Sequence, residues 1–299
     1  MKKSLSIISA LLSVAAAVLF CTSCCEVKLS DNIRKLSLRP ELSAEGNILK
    51  LSSDDGKLTV TVRKNSGTIN FDGVALITPE AVTFSEKTGW DLPSWITEDV
   101  LMPLRNPAAV KVRRIMLDPG HGGRDRGAAG VSGTKEKELN LALAAELKKE
   151  LQARGFEVVM TRESDVEVPL GKRGVLANAL GVDLFISLHH NSAANPDAAG
   201  FEVFLIDPRN CAAEKREQLK KSVRLAWLMQ KKQFDATGSS GRGVKFARFR
   251  VLRDAACPAL LVEAGFLSNR SEEFRCSDAL FRRALAKSMA DAVSGYASP

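Results

Sequence analysis

From Arg113 to the C-terminus, short apolar runs alternate with longer amphipathic ones, and this alternation leaves few folds open. RRIMLD (113–118) reads as a strand. EKELNLALAAELKKELQARG (136–155) sets Leu139, Leu143, Leu147 and Leu151 on one helical face and stops at Gly155. FEVVMTR (156–162) is the next strand and VPLGKRGVLANALG (168–181) the next helix. VDLFISLHHN (182–191) and GFEVFLI (200–206) are further strands, and AAEKREQLKKSVRLAWLMQKKQF (212–234) is a long amphipathic helix. FRVLR (249–253) and PALLVEAGF (258–266) read as the last strands, before a closing helix over 277–296. Strands separated by helices give a mainly parallel or mixed sheet covered on both faces, with ligands at the strand ends.

The first 109 residues have another texture. Two lysines open MKKSLSIISALLSVAAAVLF, and the apolar run from Leu5 to Phe20 is too short to span a membrane comfortably. Residues 1–24 have the form of an export signal. Cys24, after Ser23 in the cluster CTSCC, suits lipid attachment and hence anchoring of an exported lipoprotein to a membrane; plain signal cleavage or a retained anchor is the alternative. Residues 25–109 read as a small β-rich segment and linker. KLTVTVRKNSGTINFDGVALI (57–77) alternates around Asn65-Ser66-Gly67 as a hairpin, and Pro93, Pro103 and Pro107 break the chain before Val110. Residues 110–299 then carry the strand–helix pattern.

With 45% apolar and 26% charged residues, the chain can build an ordinary core. Its net charge of +8 falls to +6 when a signal takes Lys2 and Lys3 with it. Outside the cytoplasm nucleic acid is not an expected partner, whereas an anionic wall polymer or a lipid surface is compatible. Cys211, Cys257 and Cys276 stand at unpatterned spacings, so neither a disulfide framework nor a zinc knuckle is read from them.

All three histidines lie in two strand-end motifs. IMLDPGHGGRDRGAAG (115–130) places His121 just past the first strand, and LFISLHHN places His189 and His190 at the close of another. Glu136 opens the first helix, and Glu263 ends PALLVE. Two imidazoles and one carboxylate leave a fourth position open on a tetrahedral zinc, where a water reaches a pKa of about 7. A second carboxylate nearby can take that water's proton and pass it to a leaving amine. Taken singly, Glu136 is as well explained by the helix dipole, His189 and His190 by a satisfied pair, and Glu263 by a core ion pair. Their joint placement at neighbouring element ends favours the metal. A dinucleotide loop does not fit, because Arg124, Asp125 and Arg126 intervene before any helix begins.

LDPGHGGRDRGAAG, GTKEKELNLALA, TRESD, SLHHNS, GFEVF, GVKFARFRVLR and PALLVEAGFLSN, in this order from about Arg113 to Tyr296, resemble the zinc-dependent N-acetylmuramoyl-L-alanine amidases of bacterial cell-wall remodelling. The resemblance implies a mixed, mainly parallel six-stranded sheet flanked by helices. It also implies one Zn2+ ion and cleavage of the amide joining N-acetylmuramic acid to L-alanine, in peptidoglycan or its lipid-linked precursor. The setting it implies is the periplasm, during wall remodelling and division. Carried over by position, His121, Glu136 and His189 are implied as zinc ligands and Glu263 as the catalytic acid–base. Asn191, and Arg162 of TRESD, are implied as support or substrate contacts; His190 is not counted as a ligand. Some members insert a helix after the GxEVF strand that plugs the zinc site until a partner withdraws it. Here only LIDPRNCAA separates that strand from the next helix, so activity without an activator protein is implied.

Two alternatives come from other classes. A non-catalytic wall-binding relative would lose a ligand or the acid, and here all four are present. Penicillin-recognising serine enzymes use S-x-x-K, S-x-N and K-T-G, with lysine activating serine. Ser132-Gly-Thr-Lys135, Ser30-Asp-Asn32 and Lys87-Thr-Gly89 reproduce these triplets in a different order. Ser132 and Lys135 directly precede Glu136, so a secondary D-alanine carboxypeptidase activity is the further expectation.

Overall fold

The structure is a computed structural model and describes residues 27–238 and 241–297. The export-signal stretch, with Cys21, Cys24 and Cys25, lies outside the described residues. After a short helix α1 (Asp31–Arg34), five strands form an antiparallel meander: β1 (Arg39–Leu42), β2 (Ile48–Ser52), β3 (Thr59–Arg63), β4 (Thr68–Phe71) and β5 (Val74–Ile77). Period-two alternation decides which face is covered: Val60, Val62, Ile69, Phe71, Val74 and Leu76 are buried, and the residues between them are not. The hairpin read around Asn65-Ser66-Gly67 is present, with Val62 opposite Ile69. Asp72 and Gly73, at φ 48° and 87°, close the next hairpin in the left-handed conformations that an Asp-Gly pair favours.

A small hairpin, β6 (Thr83–Ser85) with β7 (Gly89–Asp91), and a wide π-type turn over Ile96–Leu101 lead through α2 (Met102–Arg105) into the second part. Its strands are β8 (Arg114–Pro119), β9 (Glu157–Met160), β10 (Leu184–Asn191), β11 (Phe201–Ile206), β12 (Gly241–Ala247) and β13 (Ala259–Phe266). Its helices are α3 (Glu136–Ala153), α4 (Leu170–Ala179), α5 (Ala213–Thr237), α6 (Arg250–Asp254), α7 (Arg270–Ser277) and α8 (Ala279–Ala297). The strands stand in the order β12-β11-β13-β10-β8-β9, parallel throughout except for β11 against β13, which is the mixed, mainly parallel six-stranded sheet expected. Helix α8 packs against both α3 and α5, and α4 packs on α6. Leu143, Leu147 and Leu151 of α3 are fully buried, as their spacing requires. Among the described residues no helix is long and apolar enough to cross a membrane.

FRVLR is not a strand. The strand lies upstream, in β12, and Arg250 opens the helix α6. Val251 and Leu252 are both buried while Arg250 and Arg253 stay exposed, so the buried residues are adjacent, which one face of a helix allows and a pleated strand does not. The sheet also extends further than its six strands. β5 pairs in parallel with β12, Val244 opposite Leu76, and the meander thereby lengthens it to eleven strands.

Leu76, with no exposed surface, belongs to the same core cluster as Val203 of β11 and Leu225 of α5. Leu76→Ala is expected to lower stability by about 2–5 kcal/mol through lost burial and the cavity left behind. Urea unfolding followed by tryptophan fluorescence and by far-UV circular dichroism should move as one transition. An early, separate transition would show that the meander folds as an independent unit.

Candidate metal and catalytic site

The site begins with a strained turn. β8 runs out at Pro119, and His121 then takes φ 60°, a left-handed conformation that costs a non-glycine residue about 1–2 kcal/mol. The surroundings over-determine it. Arg173 of α4 donates from Nη2 to the His121 carbonyl at 2.9 Å, and from Nη1 to the Pro119 carbonyl at 2.9 Å and to Asp118 Oδ1 at 2.7 Å. Arg162 donates to the carbonyls of Pro119, Gly120 and Lys137. Glycine is required at two points of this loop. A Cβ at Gly120 would lie 2.1 Å from the His189 ring, and one at Gly127 would lie 2.4 Å from Glu136 Oε2.

The loop and the strand ends bring three side chains together. His121 Nε2 lies 3.1 Å from Glu136 Oε2, and His189 Nδ1 lies 2.9 Å from Glu136 Oε1. One donor atom from each of the three falls within 4.8 Å of the others, close enough to share a single ion. Both imidazole nitrogens and the carboxylate suit zinc. The surroundings fit as well, since His121 Nδ1 is held at 2.8 Å by Asp125 Oδ2, the carboxylate–histidine pairing that orients a ligating ring.

Glu136 is almost wholly buried at the first turn of α3. Burial pushes its pKa up, but hydrogen bonds from His121 and His189 and from the Ala128 amide outweigh this and hold it well below the usual carboxylate range. Burial lowers His121, and the two carboxylates beside it, Glu136 and then Asp125, reverse the shift to a net increase. His190 is enclosed, and burial brings it down to about 4, so it stays neutral with Nδ1 on Asn140 Oδ1 at 2.8 Å. Asn140 in turn donates to Glu136 Oε1 and to the Gly120 carbonyl.

Glu263 faces this group from β13, in register with His189 on β10 and with Glu202 on β11. Its Oε2 is enclosed and has no hydrogen-bond partner among the described residues. Burial first, and then the negative charges of Glu136 and Glu202, push its pKa well above the usual carboxylate range. Glu202 is itself buried and neutralised by Arg242 Nε at 2.6 Å and Lys245 Nζ at 2.5 Å. His121, His189 and Glu263 open on one cavity of about 310 Å³.

The comparisons with known proteins agree with this geometry. A model of the N-acetylmuramoyl-L-alanine amidase family matches residues 115–295. The chain belongs to the N-acetylmuramoyl-L-alanine amidase family. The amidase AmiA of Escherichia coli (strain K12) is 32% identical over 219 residues, which cover 62% of this chain and 76% of that protein. For AmiC of Neisseria meningitidis the figures are 34% over 216 residues, 61% of this chain and 52% of that one, so the match spans about half of that relative. Among solved structures, the N-acetylmuramoyl-L-alanine amidase of Clostridium difficile 630 superposes with a TM-score of 0.57 at 31% identity, over 62% of this chain and 97% of its own. The catalytic domain of CwlV from Bacillus (Paenibacillus) polymyxa gives 0.56 at 33%, over the same shares.

Other residues singled out in the sequence find different places in this amidase. Arg162 is buried on backbone carbonyls and supports the His121 turn. Asn191 donates to Glu202 Oε2 at 3.0 Å and so ties β10 to the carboxylate beside Glu263. Ser132 and Lys135 do not line the cavity: the Ser132 amide donates to Glu273, and Lys135 Nζ pairs with Glu138 at 2.9 Å. Of the other serine-enzyme triplets, Ser30 caps α1 and Thr88 closes the β6–β7 turn on Ser85. Asp118, Asn140, Arg173, Glu202 and Lys245 were not singled out in the sequence. The signal for two of them was available, because Asp118 and Glu202 are acids inside otherwise apolar strands.

Asp118 is fully enclosed and takes its counter-charge from Arg173, with Thr161 and Ser187 completing its bonds. Arg173→Met strips that charge from a buried carboxylate and is expected to destabilise the amidase by about 3–5 kcal/mol. A loss below 1 kcal/mol in guanidinium unfolding would show that the pair is replaceable.

Proposed function

We propose that this amidase is exported and hydrolyses the amide between the lactyl group of N-acetylmuramic acid and L-alanine in peptidoglycan or its lipid-linked precursor, in wall remodelling and division. In this reading residues 1–24 carry the signal, with cleavage ahead of Cys24 leaving that cysteine as a lipid-attachment point in the periplasm, while residues 25–109 form a β-rich extension and residues 110–299 the catalytic unit. One Zn2+ would be held by His121, Glu136 and His189. Bound there, zinc supplies Lewis-acid polarisation of a carbonyl and acidification of a water.

The observation that carries the proposal is Glu263. It is an acid with a raised pKa and an unpartnered oxygen, across the sheet register from His189 and opening on the same cavity. In its ionised form a carboxylate poised in this way can take a proton from water at Oε2 and, now neutral, return it to the departing alanine nitrogen. Asp125 keeps the His121 ring oriented. Asn191 and Arg162 brace the two strand ends. Only residues 207–212 connect β11 to α5, which leaves no room for a plugging helix, so the protein acts without an activator.

Purified protein loaded with zinc, with nothing added, is therefore expected to release L-alanyl peptides from soluble muropeptides. Glu263→Gln should keep its zinc and lose about 10²–10⁴-fold in turnover, whereas His189→Ala should lose the metal itself. A Glu263→Gln protein with full activity would remove the residue from its role, and a requirement for a second protein would overturn the activator statement.

The pH dependence tests the same carboxyl. As the base, Glu263 must be ionised, so the rate rises with pH through its raised pKa and the acid limb of kcat/KM lies above the usual carboxylate range. Glu202→Gln removes one of the charges that raise it and is expected to move that limb to lower pH. An unmoved limb would assign the titration to another group.

A further inference from the structure

Two guanidinium groups line the cavity that holds His121, His189 and Glu263, and they are engaged differently. Arg173 donates through Nε, Nη1 and Nη2 to Val168 O, Asp118 Oδ1, Pro119 O and His121 O. The Arg250 side chain is 54% exposed and, among the described residues, donates only from Nε, to Asp254 Oδ2 at 3.2 Å. Asp254 is also approached by Arg253 at 3.8 Å, so it neutralises Arg250 incompletely. A guanidinium carries five N–H donors, and those on Nη1 and Nη2 of Arg250 are open to a ligand.

The position of this group follows from close packing. A Cβ at Gly174 would lie 2.8 Å from the Ala255 amide nitrogen, and one at Gly171 would lie 2.6 Å from Arg250 Nη2. Gly174 therefore lets α4 approach the backbone at the end of α6, and Gly171 leaves room for the Arg250 guanidinium against the first turn of α4. The other ionisable groups of the cavity lining are the acids Asp125 and Glu263, the imidazoles of His121 and His189 and the engaged Arg173, and the remaining lining residues, Val168, Leu170, Phe249, Val251 and Leu261, are apolar. Among the described residues the cavity lining thus has one guanidinium with free donors, flanked in sequence by Phe249 and Val251, which also line it.

We propose that Arg250 determines substrate specificity by binding a carboxylate of the stem peptide, on a residue that follows the alanine of the scissile amide. The proposal rests on the amidase reading given above. A planar fork matches a carboxylate with two parallel hydrogen bonds, which an ammonium group does not reproduce.

Two soluble N-acetylmuramoyl peptides test it, one with a free α-carboxylate on the second residue and one with that group amidated, cleaved by the zinc-loaded full chain. The wild-type protein should prefer the free acid. Arg250→Met should raise KM for the acid by about tenfold to a hundredfold with kcat little changed, leave the amidated peptide unaffected, and erase the preference. Arg250→Lys should restore only part of it. Asp254→Asn frees the guanidinium from its internal partner and should retain or strengthen the preference. Equal effects on both peptides, no preference in the wild type, or loss of preference in Asp254→Asn would each overturn the proposal. Failure of the wild type to cut either peptide would instead sink the amidase reading, and this subsite with it.

Discussion

A carboxylate held ionised away from water is the constraint on which the rest of this site depends. Glu136 has almost no exposed surface, and an unpaired charge there would be strongly unfavourable. Its two oxygens are satisfied by His121, His189, Asn140 and the amides of Ala128 and His190. Each of these partners restricts the chain further. The Ala128 amide must fold back over the helix start, which explains why Gly127, at φ 66°, has no room for a Cβ. The two rings must approach to 4.9 Å between centroids, which Gly120 allows. A cation shared by the three donors satisfies the same charge more completely than imidazoles alone, and binding would tighten the arrangement by simple linkage.

Around the same two histidines, two carboxyl groups are driven apart in acidity. Glu136 accepts several hydrogen bonds, and its ionised form is favoured; Glu263 has an oxygen with none, and its neutral form is favoured. Opposite shifts of this kind suit one group to hold a cation and the other to carry a proton, as in the function proposed above. The division is kept by register. His189 and Glu263 are paired across parallel strands, Glu202 and Glu263 across antiparallel ones, so a slip of one residue would turn the acid to the opposite face of the sheet.

Much of this was legible in the sequence because the decisive elements are long and strongly patterned. The leucine spacing of α3 placed Glu136 at a helix start, and the apolar runs of β10 and β13 placed His189 and Glu263 at strand ends. The misreading of FRVLR arose where the pattern is short: β12 buries few side chains and carries Gly243 in its middle, so its period is hard to see, while Phe249, Val251 and Leu252 look strand-like. Arg173 and Asn140 could not be found by pattern. Their hydrogen bonds reach residues brought near only by the crossover topology, and an arginine or asparagine on a helix ordinarily faces solvent.

The pairing of β5 with β12 was equally invisible, because it joins residues about 170 positions apart through two hydrogen-bonded positions, Leu76 with Val244 and Ile77 with Lys245. Its consequence reaches Glu263. Without β5, β12 would be an exposed edge strand, prone to fray and to pair with other chains. With β5 in place, β12 is held on both sides at Val244 and Lys245, and Lys245 together with Arg242 of the same strand neutralises Glu202. Glu202 in turn helps to set the acidity of Glu263. The meander therefore acts on the site from a distance, by pairing with the strand whose cations shape the electrostatic surroundings of Glu263.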